Sequence, residues 1–188
     1  MLFSSTCRHL GYGQRSELPI ARGFDTYLGY WNGAETYSTH TVGADVNGNE
    51  VFDFVDSTSD GNTTQTAYQF AGQYSTYVFA NRAVDIITSA ARLAEASGER
   101  VPWFLYLAFQ SVHWPLEAPA ERVAKFKHIP DKNRQLVAAM ASIMDDGVGD
   151  IIGNLSLVGE RNRTICVFTS DNGGPTHGFE GTESNNYP

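Results

Sequence analysis

What this 188-residue chain has little of already narrows its roles. It has no excess of positive charge: 13 Lys and Arg against 21 Asp and Glu leave a formal net charge of −8 at pH 7. Nucleic acid is therefore not an expected partner, because phosphate binding needs a basic patch. No apolar run approaches the ~20 residues that span a bilayer. At the start, Met1-Leu2-Phe3 passes at once into Ser4-Ser5-Thr6-Cys7-Arg8, so no signal-peptide hydrophobic region is read there. The only two cysteines, Cys7 and Cys166, lie far apart and match no metal spacing. Cys166 sits inside an apolar run and is expected to be a small buried hydrophobe, and the count does not settle the redox compartment. Internal repeats and low-complexity linkers are also missing. What remains is an ordinary hydrophobic fraction with generous aromatics, which excludes a disordered segment. The length is one domain's worth, expected as a single unit over residues 1–188.

The chain is organised around residues 165–174, ICVFTSDNGG. The apolar run from Ile165 to Phe168 reads as a buried parallel strand. Beyond it come Asp171 and Asn172, at the strand end where open α/β sheets bind ligands. Two adjacent hard oxygens suit Ca²⁺ or Mg²⁺ better than zinc. An Asp-Asn-Gly-Gly turn that merely ends a strand has the same composition, so the motif alone leaves both readings open.

Residues 1–33 are rich in Gly, Tyr and Arg and read as tight loops. Residues 34–66 are polar, and Asn47-Gly48 between short strand-like runs signals a hairpin, an excursion off the main sheet. Residues 75–96 carry a helical pattern through Val78, Phe79, Ala83, Ile86, Ile87, Ala90 and Leu93. Ser75 is the expected N-cap and Gly98 the expected end. The run Trp103–Phe109 is apolar on both faces, as a central parallel strand would be. A second helix is expected over residues 131–157, capped by Asp131, with Met140, Ile143, Ile151 and Leu155 on its inner side. Helix, strand, helix, strand at these lengths predicts an α/β layered sheet flanked by helices.

The Trp103 strand also ends in polar chemistry, Gln110-Ser111-Val112-His113-Trp114-Pro115. With both strands parallel, His113 leaves the same sheet edge as Asp171 and Asn172. It could bind an anionic substrate or protonate a leaving group; equally, it could be a loop histidine bonded to backbone. Asp145-Asp146 on the second helix is expected to be a solvated or capping pair. His177, three residues past Gly174, could approach the metal pocket or be a loop residue, and His40 and His128 show no partner spacing.

Several stretches together resemble the sulfatase family, closest to its arylsulfatase B-like branch. They are His9-Leu10-Gly11, residues 22–30 (RGFDTYLGY), residues 104–113 (FLYLAFQSVH), residues 131–134 (DKNR), Met144-Asp145 and residues 170–174 (SDNGG). They fall in the family's order and cover nearly the whole chain. The resemblance implies an alkaline-phosphatase-like α/β fold, here incomplete, and hydrolysis of sulfate esters at a Ca²⁺ site. It implies Asp171 and Asn172 as calcium ligands and His113 as the substrate-binding catalytic histidine that assists the leaving group. His9 would be the catalytic histidine that supports the nucleophile. Tyr37 and His40 fall in a loop that flanks the substrate cleft in the family. The implied substrates are sulfated glycosaminoglycans or small aryl sulfates.

The departures are equally specific. In the family's Lys-Trp-His-Leu-Gly motif, Cys7 and Arg8 occupy the first two positions here. The formylglycine nucleophile arises from a Cys-x-Pro-Ser-Arg motif, which this sequence does not contain. The aspartate pair that completes the calcium shell is expected upstream and a further lysine downstream. The expectation is therefore an internal fragment, an incomplete gene model or a degenerate copy, inactive alone. Two other readings accompany it: a non-catalytic pseudoenzyme that binds a sulfated glycan or a partner, and a phosphatase or phosphodiesterase of the same superfamily. The sequons at Asn62, Asn154 and Asn162 fit a secretory-pathway protein, lysosomal or secreted.

Overall fold

The computed structural model describes residues 2–5, 12–60 and 63–174 of the chain. Its main sheet has five strands: β1 (Leu2–Ser5), β2 (Thr26–Gly29), β5 (Val55–Thr58), β6 (Thr63–Thr66) and β7 (Phe104–Leu107), in the order β6-β5-β2-β1-β7. β1 runs parallel to both β2 and β7, whereas β5 and β6 are antiparallel additions beyond β2. The polar segment 34–66 thus divides. β3 (Thr41–Ala44) and β4 (Glu50–Phe52) form a separate hairpin around Asn47-Gly48, and the residues after them return to the main sheet. The return is encoded locally: Val55 and Ser57 alternate inward between half-exposed neighbours, the period-2 pattern of a strand with one buried face.

Two long helices, α1 (Ser75–Ser97) and α3 (Lys132–Leu157), pack against each other, with the four-residue α2 (Ala120–Val123) beside α3. Both long helices lie where the periodicity puts them. α1 ends at Gly98 with φ of 70°, the left-handed C-cap conformation that glycine adopts without a Cβ penalty. The Asp131 side chain caps α3 by accepting from the backbone N–H of Arg134 at 2.8 Å. At the start of α1 the cap position belongs to Tyr74, whose side chain makes no capping bond to the helix. Ser75 is the first helical residue, buried, and its hydroxyl donates to the Gln110 side-chain oxygen at 2.6 Å. A tertiary partner has taken the hydroxyl that would otherwise cap the helix.

The core lies between the sheet and the helices. Leu28, Tyr30, Phe54, Val78 and Phe79 form one buried cluster, and Tyr37, Tyr74, Met140 and Ile143 a second. The helices lie close together at Gly147, where an added Cβ would stand 3.0 Å from the Ala80 Cβ and 3.6 Å from the Phe109 ring. Gly147→Leu is therefore expected to lower the urea midpoint, an overpacking loss of about 1–3 kcal/mol. Gly149, two residues on and on the exposed side of the helix, has nothing within 4 Å of that position. Gly149→Ala should stabilise the chain by about 0.5–1 kcal/mol, because only helix propensity changes.

Two expectations are corrected. The run Ile165–Phe168 is not a buried strand: it joins no ladder, and Ile165, Val167 and Phe168 are 92%, 82% and 77% exposed. Cys166 within it is a free, exposed thiol rather than a buried hydrophobe. An apolar β-branched run becomes a strand only where a neighbour offers hydrogen bonds and a layer covers its face, and the described residues supply neither. Second, the strand from the Trp103 run lies, among the described residues, at the edge of the sheet and pairs there with β1 alone, leaving Phe104 and Tyr106 half-exposed. A bare edge beside exposed apolar residues is a template for association. Tyr106→Lys combined with Phe168→Glu should shift the chain toward monomer in sedimentation velocity at micromolar concentration.

Candidate functional site

Because β1, β2 and β7 are parallel, the chain leaves all three at the same sheet edge. Ser5 ends β1, and His9 follows a few residues later, outside the described residues. Gly29 ends β2 and opens the loop that holds Glu35, Tyr37 and His40. Leu107 ends β7 and opens the loop that holds Gln110, Ser111 and His113. This loop contains cis peptide bonds at Ser111–Val112 and Trp114–Pro115.

The loops after β2 and β7 are tied together by buried hydrogen bonds. Tyr37, fully buried, donates its hydroxyl to the carbonyl oxygens of Gln110 at 3.0 Å and His113 at 2.9 Å. The Gln110 side chain donates to the Glu35 carbonyl at 2.6 Å and accepts from Ser75. The Tyr37 backbone N–H donates to the Glu117 carboxylate at 2.8 Å, and the Tyr74 hydroxyl donates to the Glu117 carbonyl at 2.8 Å. Burial raises the Tyr37 hydroxyl pKa well above its ordinary value, so it stays a donor at every working pH.

His113 is exposed at the end of this frame. Its backbone N–H donates to the Gln110 carbonyl at 2.8 Å, and its ring Nδ1 lies 2.6 Å from the Trp114 carbonyl. A carbonyl oxygen only accepts, so Nδ1 carries the hydrogen and Nε2 is left for a ligand. The ring is thus held in one tautomer and one orientation.

Glu35 and His40 make a different kind of pair. Both side chains are fully buried, with His40 Nδ1 3.0 Å from Glu35 Oε1. His40 Nε2 faces the carbonyls of Phe70 at 3.2 Å and Gln73 at 3.0 Å, so Nε2 carries the ring hydrogen. Burial, and then the Asp53 charge, push the Glu35 carboxyl up to about 10, while burial lowers His40. The pair is therefore neutral: a protonated Glu35 donates to a neutral imidazole. Glu35 Oε2 has no partner among the described residues, a position a neutral carbonyl oxygen tolerates far better than a carboxylate.

Asp171 and Asn172 lie apart from this frame's hydrogen bonds. Both are exposed; Asp171 Oδ1 accepts from the Asn172 N–H at 2.9 Å, and the Asn172 amide donates to the Gly173 carbonyl at 2.8 Å. Among the described residues no group of three or more His, Cys, Asp and Glu could hold a metal ion. Ca²⁺ takes about 6–8 oxygen ligands, so these two side chains do not make a calcium site by themselves. Asp146 of the exposed acidic pair is salt-bridged to Arg122. Of the sequons, Asn62 lies outside the described residues. Asn154 is half-buried within α3, its amide donating to the Thr88 hydroxyl at 3.1 Å, and Asn162 is exposed on a short helical turn.

Glu35, Gln110, Tyr74 and Glu117 were not legible as site residues. Their signal is tertiary: polar groups in irregular segments that become buried only when two loops meet. Gln110 alone had a local cue, standing three residues before His113.

A family model described as Sulfatase matches residues 6–188 of the chain. Arylsulfatase J of Mus musculus is 32% identical over 180 residues, 90% of this chain and 26% of the relative. The N-acetylgalactosamine-6-O-sulfatase of Bacteroides thetaiotaomicron is 33% identical over 89 residues, 47% of this chain and 16% of the relative. Among solved structures, Ps i-CgsB in complex with k-i-k-neocarrahexaose superposes with a TM-score of 0.61 at 25% identity, over 84% of this chain and 34% of that one. The chain thus spans a sixth to a third of the length of these relatives, and its mixed helix-and-sheet architecture is part of their alkaline-phosphatase-like fold. Among the described residues no helix is long and apolar enough to cross a membrane.

Proposed function

The chain belongs to the sulfatase family, and on that premise we propose that it serves in a sulfuric ester hydrolase of arylsulfatase type acting on sulfated saccharides. The observation that carries the reading is His113. It is exposed at the edge where three parallel strands end, its Nδ1–H is held by the Trp114 carbonyl, and its Nε2 faces outward. In its protonated form such a ring keeps Nδ1–H on the Trp114 carbonyl and donates from Nε2, to a sulfate oxygen or as the proton passed to the departing alcohol. His9, a few residues beyond β1, belongs by resemblance beside the nucleophile. Asp171 and Asn172 would give two oxygens to a calcium shell completed by other groups. Two of the similar proteins carry saccharides in their descriptions, which supports a saccharide over an aryl sulfate. The exposed Asn162 sequon supports a lysosomal or secreted setting.

Binding without turnover is the second reading, favoured by Cys7 and Arg8 standing where the family's Lys-Trp-His-Leu-Gly motif has its lysine and tryptophan. Extending the transcript in both directions and expressing the protein it encodes separates the two. Sulfate release from sulfated N-acetylgalactosamine saccharides, reduced about 10²-fold or more by His113→Ala, is the expected result. Saccharide binding with no release would overturn hydrolysis. The 188-residue chain alone should show no rise in melting temperature with millimolar Ca²⁺, because two ligands give an affinity too weak for linkage to register. A calcium-dependent rise would locate a fuller shell than the described donors provide.

A further inference from the structure

We infer that the groove between the β2 loop and the start of α1 is a subsite for an uncharged sugar ring of an oligosaccharide, next to the sulfated residue. The inference rests on the sulfated-saccharide reading and deepens it. The groove has a volume of about 600 Å³ and is lined by Ser38, Thr39, Tyr74, Tyr77, Glu117 and Pro119 among others. That size is within the range of small-ligand sites.

The lining chemistry selects the occupant. Tyr37, Tyr74 and Tyr77 form an aromatic ladder, with ring centroids 5.0 Å apart for the first pair and 5.7 Å for the second. The first two rings are buried and Tyr77 is 37% exposed, so the ladder ends in an aromatic surface open to the groove. Tyr77 packs on Tyr74 and interacts electrostatically with Arg122, whose guanidinium is itself paired with Asp146. Beside it stand the Ser38 and Thr39 hydroxyls and the Glu117 carboxylate. An aromatic face for the C–H side of a pyranose, with hydroxyl and carboxylate acceptors around its rim, fits a sugar. Among the described residues no Lys or Arg lines the groove and Glu117 is the one charged group on its wall, so a sulfate ester is repelled from it. The groove also shares its frame with His113, since Tyr37, the neighbour of Ser38, holds the His113 carbonyl and is itself held by Glu117.

The test is amide NMR on the 188-residue chain, titrated with an unsulfated galactose tetrasaccharide and with the same sugar sulfated at one end. Both should shift Ser38, Thr39 and Tyr77, and Tyr77→Ala should weaken binding about tenfold or more while Tyr77→Phe retains it. Shifts confined to other residues, or binding unchanged in Tyr77→Ala with its spectrum otherwise intact, would overturn the subsite and leave the hydrolase reading standing. Absence of binding by either sugar would likewise overturn the subsite. The hydrolase reading fails separately, by lack of sulfate release from the longer protein.

Discussion

Glu35→Gln should match the original chain in stability near pH 4.5 and exceed it by a margin that widens as the pH rises. The sign follows from where the proton sits. In the folded chain the Glu35 carboxyl keeps its proton up to about 10, held up chiefly by burial and then by Asp53. In the unfolded chain the same group ionises near its ordinary value of 4.5. Its contribution is fully present below 4.5 and is lost as the pH climbs toward 10, because unfolding then releases a proton. The loss approaches about 1.4 kcal/mol per pH unit, so three units cost about 4 kcal/mol, comparable with a domain's whole stability. His40 contributes with the opposite slope. Its folded pKa lies below 6.5, so the unfolded chain binds the extra proton, and stability rises with pH between that lowered value and 6.5. Glutamine keeps a donor for His40 Nδ1 and cannot ionise, so the difference between the two chains isolates Glu35. Urea midpoints at pH 5, 7 and 9 measure it. A constant gap, or a Gln variant weaker at pH 7, would mean that Glu35 and His40 are an ion pair instead.

This pair marks the limit of what the sequence could disclose. α1 and α3 were legible because their apolar residues recur at helical spacing and Gly98 and Asp131 supply local stop and start chemistry. The Asn47-Gly48 hairpin was legible for the same reason, a turn written in neighbouring residues. His113 at the end of a strand could be anticipated because strand and loop are contiguous. The Ile165–Phe168 run failed because a strand needs a partner, and partnership is not a property of four residues. The polar segment around Glu35, Tyr37 and His40 carries no period at all. Its burial comes from contact with Gln110 and Ser75, some 35 to 75 residues away in the chain. Local pattern therefore reveals elements and their caps, while the frame that holds His113 is written between elements.

That frame should fail most sharply at Tyr37. Its ring is fully buried and stacked 5.0 Å from Tyr74, and its hydroxyl serves two carbonyl groups on the neighbouring loop. Tyr37→Ala removes both contributions, and a loss of about 3–5 kcal/mol is expected from the cavity alone. Tyr37→Phe keeps the ring and strips only the hydroxyl, which leaves the Gln110 and His113 carbonyls without that donor and costs about 1–3 kcal/mol. The two variants separate packing from positioning. If Tyr37 holds the loop, the Phe variant should speed hydrogen exchange of the His113 backbone N–H, which bonds the Gln110 carbonyl, and leave amides in the middle of α3 unchanged. Exchange accelerated equally across α3 would reduce Tyr37 to a core residue. Exchange accelerated at His113 alone would make it a positioning residue: one buried hydroxyl on the loop after β2 that fixes the backbone carrying an exposed imidazole on the loop after β7.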